Sequence, residues 1–110
     1  MTKIETSPLG ANSPDQAANA NTNIFSTDIS ISTQGTLRVI VTVEASAVFG
    51  IILTRGGTQT PIACNGGNAL LPFIGYIFDQ AVLQGDTLNF QVNSNVTVLL
   101  LSASLITVTQ

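Results

Sequence analysis

The chain has 110 residues, 45% of them hydrophobic and only 8% charged, with three Lys and Arg against six Asp and Glu, no histidine, no tryptophan and one cysteine. A globular surface ordinarily carries about a quarter charged residues, and catalysis at neutral pH draws on titratable or metal-binding groups that are scarce here. The chain therefore reads as a protein with no catalytic, cofactor-binding or metal-ligating residues, and its net charge of −3 leaves no basic footprint for nucleic acid or an anionic membrane.

One domain is the expectation at this length. Residues 1–23 read as an extended N-terminal arm and residues 24–110 as the domain. The arm holds Pro8 and Pro14, clustered Asn and Ala, and only Ile4 and Leu9 as sizeable aliphatic side chains apart from Met1. It begins Met-Thr-Lys-Ile-Glu-Thr-Ser-Pro, with no apolar stretch of a secretory signal, so synthesis in the cytoplasm is expected unless a leader precedes it. Such a segment cannot bury enough surface to order itself alone. It is expected to lie along a neighbouring copy as an assembly clamp, with Ile4 and Leu9 as anchors; the alternative is a tail that hangs free or docks on its own domain.

From Ile24 the apolar pattern has period two. Ile29 and Ile31 alternate with Asp28, Ser30 and Ser32, and Gln34-Gly35 turns the chain into residues 36–44, where Leu37, Val39, Val41 and Val43 share one face. Residues 47–54 are nearly continuous in apolar character and end at Arg55-Gly56-Gly57-Thr58, so that strand is buried on both sides or meets a partner. Asn65-Gly66 suits a type I′ turn, predicting a hairpin that joins residues 59–64 to 69–78. Gln84-Gly85-Asp86 leads into residues 87–92, with Leu88, Phe90 and Val92 on one face. Asn93-Ser94-Asn95 leads into the last strand, 96–108, with Val96, Val98 and Leu100 on one face and Leu99, Leu101, Ala103 and Leu105 on the other. The expected fold is all-β: a small antiparallel β-sandwich or jelly roll of about eight strands with an extended N-terminal arm. No run reaches the about 18 apolar residues of a membrane-spanning helix.

The candidates for chemistry each have a simpler structural reading. Cys64 has no disulfide partner in the chain and reads as a small buried apolar residue. Asp79 and Asp86, with Asn89 or Asn93, fall short of the six to eight oxygens of a calcium site and read as turn residues. Arg55-Gly56-Gly57 reads as hairpin punctuation rather than an anion nest. Asn95-Val96-Thr97 is a glycosylation sequon at a turn, a weak candidate for modification. The aromatics Phe25, Phe49, Phe73, Tyr76, Phe78 and Phe90 fall mostly at core-like positions, which disfavours a carbohydrate- or ligand-binding module.

Two apolar faces on the last strand, with Phe49 to Leu53 and Leu70 to Phe78, exceed what a small sandwich hides between its own sheets. A structural subunit that self-associates is the expected function. Leu99, Leu101 and Leu105 join Ile4 and Leu9 as the expected interface, and copies of the chain are the expected partners, in a trimer or a helical filament.

The stretches Gly35-Thr-Leu-Arg-Val-Ile-Val-Thr-Val43, Thr54-Arg-Gly-Gly-Thr58, Gly85-Asp-Thr-Leu-Asn-Phe-Gln-Val92 and Val96-Thr-Val-Leu-Leu100 resemble short β-sandwich proteins of tailed phages and other viruses, which decorate heads or build fibres and spike bases. They also resemble donor-strand filament subunits of archaea and archaeal viruses. The first resemblance implies a virion surface protein without an active site, with a capsid protein as a further partner. The second implies an extracellular filament.

Overall fold

A computed structural model describes residues 3–11 and 15–109. Nine strands form among them: β1 (Lys3–Ala11), β2 (Gln16–Ala18), β3 (Ile29–Ser30), β4 (Gly35–Val43), β5 (Phe49–Arg55), β6 (Thr58–Ala63), β7 (Tyr76–Val82), β8 (Thr87–Val92) and β9 (Val96–Thr109). Sheet A has the order β1-β9-β4-β7, with β2 also on β9, and sheet B has the order β3-β8-β5-β6. Since β1 and β2 pair antiparallel with successive stretches of one β9 edge, they act as one interrupted strand. The eight resulting strands pair first with last, second with seventh, third with sixth and fourth with fifth, alternately in sheets A and B. This is a long hairpin rolled into a sandwich, the jelly-roll arrangement.

The apex is the β5–β6 hairpin, where Arg55 pairs with Thr58 across Gly56 and Gly57. Both glycines have positive φ, 58° and 80°, as a two-residue hairpin loop requires. Asn65 and Gly66 also adopt positive φ, 56° and 63°, and the Gly67 N–H donates to the Cys64 carbonyl at 3.1 Å. The local turn is as expected, but the hairpin is not. β6 stays in sheet B on β5 while β7 joins sheet A on β4, so the turn at Asn65 starts a crossing between sheets.

The core lies between the sheets. Leu37, Val39, Val41 and Val43 of β4 are fully buried, facing Phe49 and Ile51 of β5 and Leu88, Phe90 and Val92 of β8. Ile52 faces the other side of β5 and is still buried, matching the continuous apolar run there. On β9 the pairing with β4 shifts between Thr42–Leu100 and Val43–Val98, leaving Leu99 as an extra, bulged residue. The bulge changes the face pattern read from sequence: Val98 and Leu101 both point inward, with Ala103 and Leu105, while Leu100 points out. Five aromatics form a row through the core. Phe25 meets Phe90 edge-on at 5.6 Å, and Phe90, Phe49, Phe78 and Tyr76 stack in succession at 5.7, 6.2 and 6.0 Å.

Residues 3–11 and 16–18, expected to reach a neighbour, pair here with β9 of their own chain. Met1 and Pro14 lie outside the described residues. Gly35 is required by contact, because a Cβ there would sit 2.5 Å from the Ile106 carbonyl oxygen.

Two buried polar side chains hold the crossings. Asn89 accepts from the Phe25 and Phe90 N–H groups and donates to the Phe25 carbonyl and the Asp28 carboxylate, all at 2.8–3.0 Å, which uses its full capacity. Asp86, whose side chain is 2% exposed, accepts two bonds from Arg55 at 2.9 and 2.7 Å and one from the Leu83 N–H at 2.8 Å. The Arg55 hydrogen bonds, with help from the Leu83 N–H, hold the Asp86 carboxyl below its ordinary range against the opposing effect of burial. A lowered native pKa gives stability that is complete above the unfolded carboxylate value, about 3.9, and disappears as pH falls through the native value. Asp86→Ala should therefore cost about 1–3 kcal/mol near pH 7, with the gap to wild type closing in acid, as read by denaturant titrations at both pH values.

Candidate interaction face

The three best-defined depressions are open clefts with little chemistry in them. The first, about 410 Å³ between β2 and the start of β9, has Glu44 as its one titratable side chain. Another, about 450 Å³ beside β1, has only Asp28, and the third, about 160 Å³ over β5 and β6, has none. Cys64 is buried beside β5, and burial pushes its thiol up to about 11. Among the described residues no group of three or more His, Cys, Asp or Glu is arranged to hold a metal ion. Asp79 sits on β7 and Asp86 in the turn before β8, and each is engaged by an arginine. Asn95 is exposed at the turn before β9, with its Oδ1 accepting from the Ala20 N–H at 2.7 Å.

The surface is more informative than the clefts. Of the eight large hydrophobic side chains that stand exposed among the described residues, five fall between residues 71 and 83: Leu71, Phe73, Ile74, Ile77 and Leu83. They lie along β7 and at its two ends. β7 is the outer strand of sheet A on the side away from β1. Phe73, the one aromatic outside the core row, is 69% exposed. Its backbone has a φ of 61°, a left-handed conformation that bulky residues seldom adopt, and its N–H is anchored to the Val43 carbonyl at 2.9 Å. The Tyr76 hydroxyl accepts from the Leu71 N–H at 3.0 Å, fixing the other side of the loop. The loop is thus tied at both ends and presents an aromatic ring to solvent.

The interface residues expected from sequence separate into three groups. Leu101 and Leu105 are buried in the domain's own core and have no surface for a neighbour. Leu9, at an irregularity in β1, packs partly against the core, and Leu99 is half-buried at the bulge. Ile4 alone is well exposed, at 69%, paired across the strands with Val108, which is also exposed. The exposed apolar surface lies mostly in the Leu70 to Phe78 stretch, one of those expected to exceed what the sandwich hides, and not on the leucines of β9 expected at the interface. The signal for Phe73 and Ile74 is Leu71-Pro-Phe-Ile-Gly75: proline and glycine interrupt the run, so the side chains between them belong to a loop and not to a strand that could bury them.

A backbone held in the left-handed region for a side chain that makes no core contact is costly to the fold. Phe73→Gly should raise the unfolding free energy, by a few tenths to about 1 kcal/mol after the entropy that glycine adds to the unfolded chain, measured by denaturant unfolding in dilute solution.

Compared with known proteins, the chain matches no family model, no curated protein and no solved structure.

Proposed function

We propose that this chain is a non-enzymatic structural subunit that assembles with copies of itself through apolar surface, as a virion surface protein of the decoration, fibre or spike-base kind. The observation that carries the reading is the concentration of exposed large side chains along β7 and its flanking loops, on a protein with almost no charge to oppose association. The jelly-roll strand order supports the virion setting by analogy of fold, since capsid proteins use it often and lectins also do. In that setting a capsid protein is the second partner. The lectin alternative has less behind it, because the clefts are shallow and a single aromatic ring is exposed. Sedimentation of the wild-type chain at micromolar concentration should show a species larger than the monomer, unchanged in molar salt because few ion pairs contribute. A monomer under these conditions refutes the reading.

A second reading, an extracellular filament built by arm exchange, has one observation in its favour. β1 occupies the outer edge of β9 and is mostly exposed, with Leu9 its main tie to the core. The same strand from a neighbour would make the same backbone bonds. Deleting residues 1–11 should then leave a folded β domain by circular dichroism that no longer forms large species. Particles of wild-type mass from the deletion variant exclude arm exchange.

A further inference from the structure

We infer that two copies of this chain meet at the open edge of β7, the two β7 strands pairing antiparallel about a twofold axis centred on Gln80. The inference rests on the self-assembly reading and names its contact.

Among the described residues four strand edges border the two sheets, and natural proteins guard such edges with proline, bulges, charge or shortness. β6 contains Pro61, β3 is two residues long, and β1 carries Pro8, an irregularity beside it, and the Lys3–Glu5 ion pair. β7 reads Tyr-Ile-Phe-Asp-Gln-Ala-Val, seven residues with no proline and no lysine. Its one charge, Asp79, is already neutralised by two bonds from Arg38, each 2.9 Å.

The backbone direction along this edge follows from the neighbouring strand. The Val43 carbonyl accepts from Phe73, on the β7 side, while the Glu44 N–H donates to Thr97, on the β9 side. Odd-numbered residues of β4 therefore face β7, and the register Leu37–Gln80, Val39–Phe78, Val41–Tyr76 turns Tyr76, Phe78 and Gln80 toward β4. Ile77, Asp79 and Ala81 turn their N–H and C=O groups to the open edge. The Gln80 side chain bends to donate to the Ala81 carbonyl at 3.1 Å, occupying a site that a partner strand would fill.

Register follows from charge and apolar matching. Centring on Asp79 sets two carboxylates opposite each other, which is unfavourable. Centring one residue earlier sets Ile77 against Asp79. Centring on Gln80 pairs Asp79 with the partner's Ala81 through backbone bonds, Phe78 with the partner's Val82, and Ile77 with the partner's Leu83. The last two are both exposed in the single chain. Leu83 already uses its backbone N–H and carbonyl in the turn to Asp86, so that row meets by side chains.

The five exposed side chains between residues 71 and 83, with Ile77 and Leu83 in the paired rows and Leu71, Phe73 and Ile74 flanking them beyond the partner's β7, offer roughly 500 Å² of apolar surface per copy, judged from ordinary side-chain areas and their exposure. That is about the apolar share of one partner's side in a standard interface of about 800 Å². A second copy supplies the same set, as a twofold contact requires. Such a pair is a unit on which threefold or helical assembly can build.

Cysteine cross-linking tests the axis. Gln80→Cys in a Cys64→Ala background puts two thiols on directly opposed residues, with Cα atoms about 4.5 Å apart, within disulfide reach. Ala81→Cys puts them about 8 Å apart, beyond it. Mild oxidation should convert Gln80→Cys mainly to a cross-linked dimer and Ala81→Cys at least tenfold more slowly. Independently, Ile77→Lys with Leu83→Lys, both at exposed positions, should weaken association at least tenfold. An assembled wild type whose Gln80→Cys variant does not cross-link, or whose mass survives the two lysines, overturns the β7 contact and leaves the self-assembly reading standing. A monomeric wild type overturns both.

Discussion

The structure depends on one pairing rule: the chain folds as a single long hairpin, and each successive pair of strands crosses to the opposite sheet. Among the described residues the bend at Gly56 and Gly57 is the one place where consecutive strands pair directly within a sheet. Every other connection must leave its sheet. This is why Gly35 opens β4 hard against the Ile106 carbonyl, and why the turn between Leu83 and Asp86 is clasped by Arg55 from the apex hairpin. The crossings are expensive in backbone hydrogen bonds, and Asn89 and Asp86 supply the missing partners from side chains. Among the described residues no buried side-chain polar atom lacks a partner.

Inside the roll, the aromatic row does what a disulfide or metal does in other small domains. It runs from Phe25 on the crossing segment through β8 and β5 to β7, so ring contacts tie sheet B to the outermost strand of sheet A. That tie also gives β7 its double character. Tyr76 and Phe78 are fastened to the core, and the residues alternating with them are left outside. A strand held so firmly on its inner face can present a fixed outer edge without ordering cost on contact.

Much of this was legible from period and punctuation. Leu37 to Val43 and Leu88 to Val92 follow from alternation, the double-sided burial of the Phe49 strand follows from its unbroken apolar run, and all-β architecture follows from their number. Pairing partners were not legible, because period two names the face of a strand and not its neighbour. Asn65-Gly66 made the turn its chemistry dictates and still formed no hairpin, since the alternation of sheets overrode a local signal. The face pattern of β9 failed at a single residue: the bulge at Leu99 shifts the parity, bringing Val98 and Leu101 to the same side. That shift decided the candidate interface as well. Leu101 and Leu105, expected at an interface because both faces of β9 are apolar, lie in the core, and most of the exposed apolar surface belongs to Leu71, Phe73, Ile74, Ile77 and Leu83.

The nested pairing also orders events in time. Fast closure belongs to the apex, where two glycines separate Arg55 from Thr58, and slow closure belongs to the outermost pair, which joins Lys3 to Thr109 across almost the whole sequence. A nascent chain has completed β1 long before β9 exists, and that first strand must wait, without its partner, until the domain's last strand has been made. The outer edge of β9 is thus the last position in the domain to be filled.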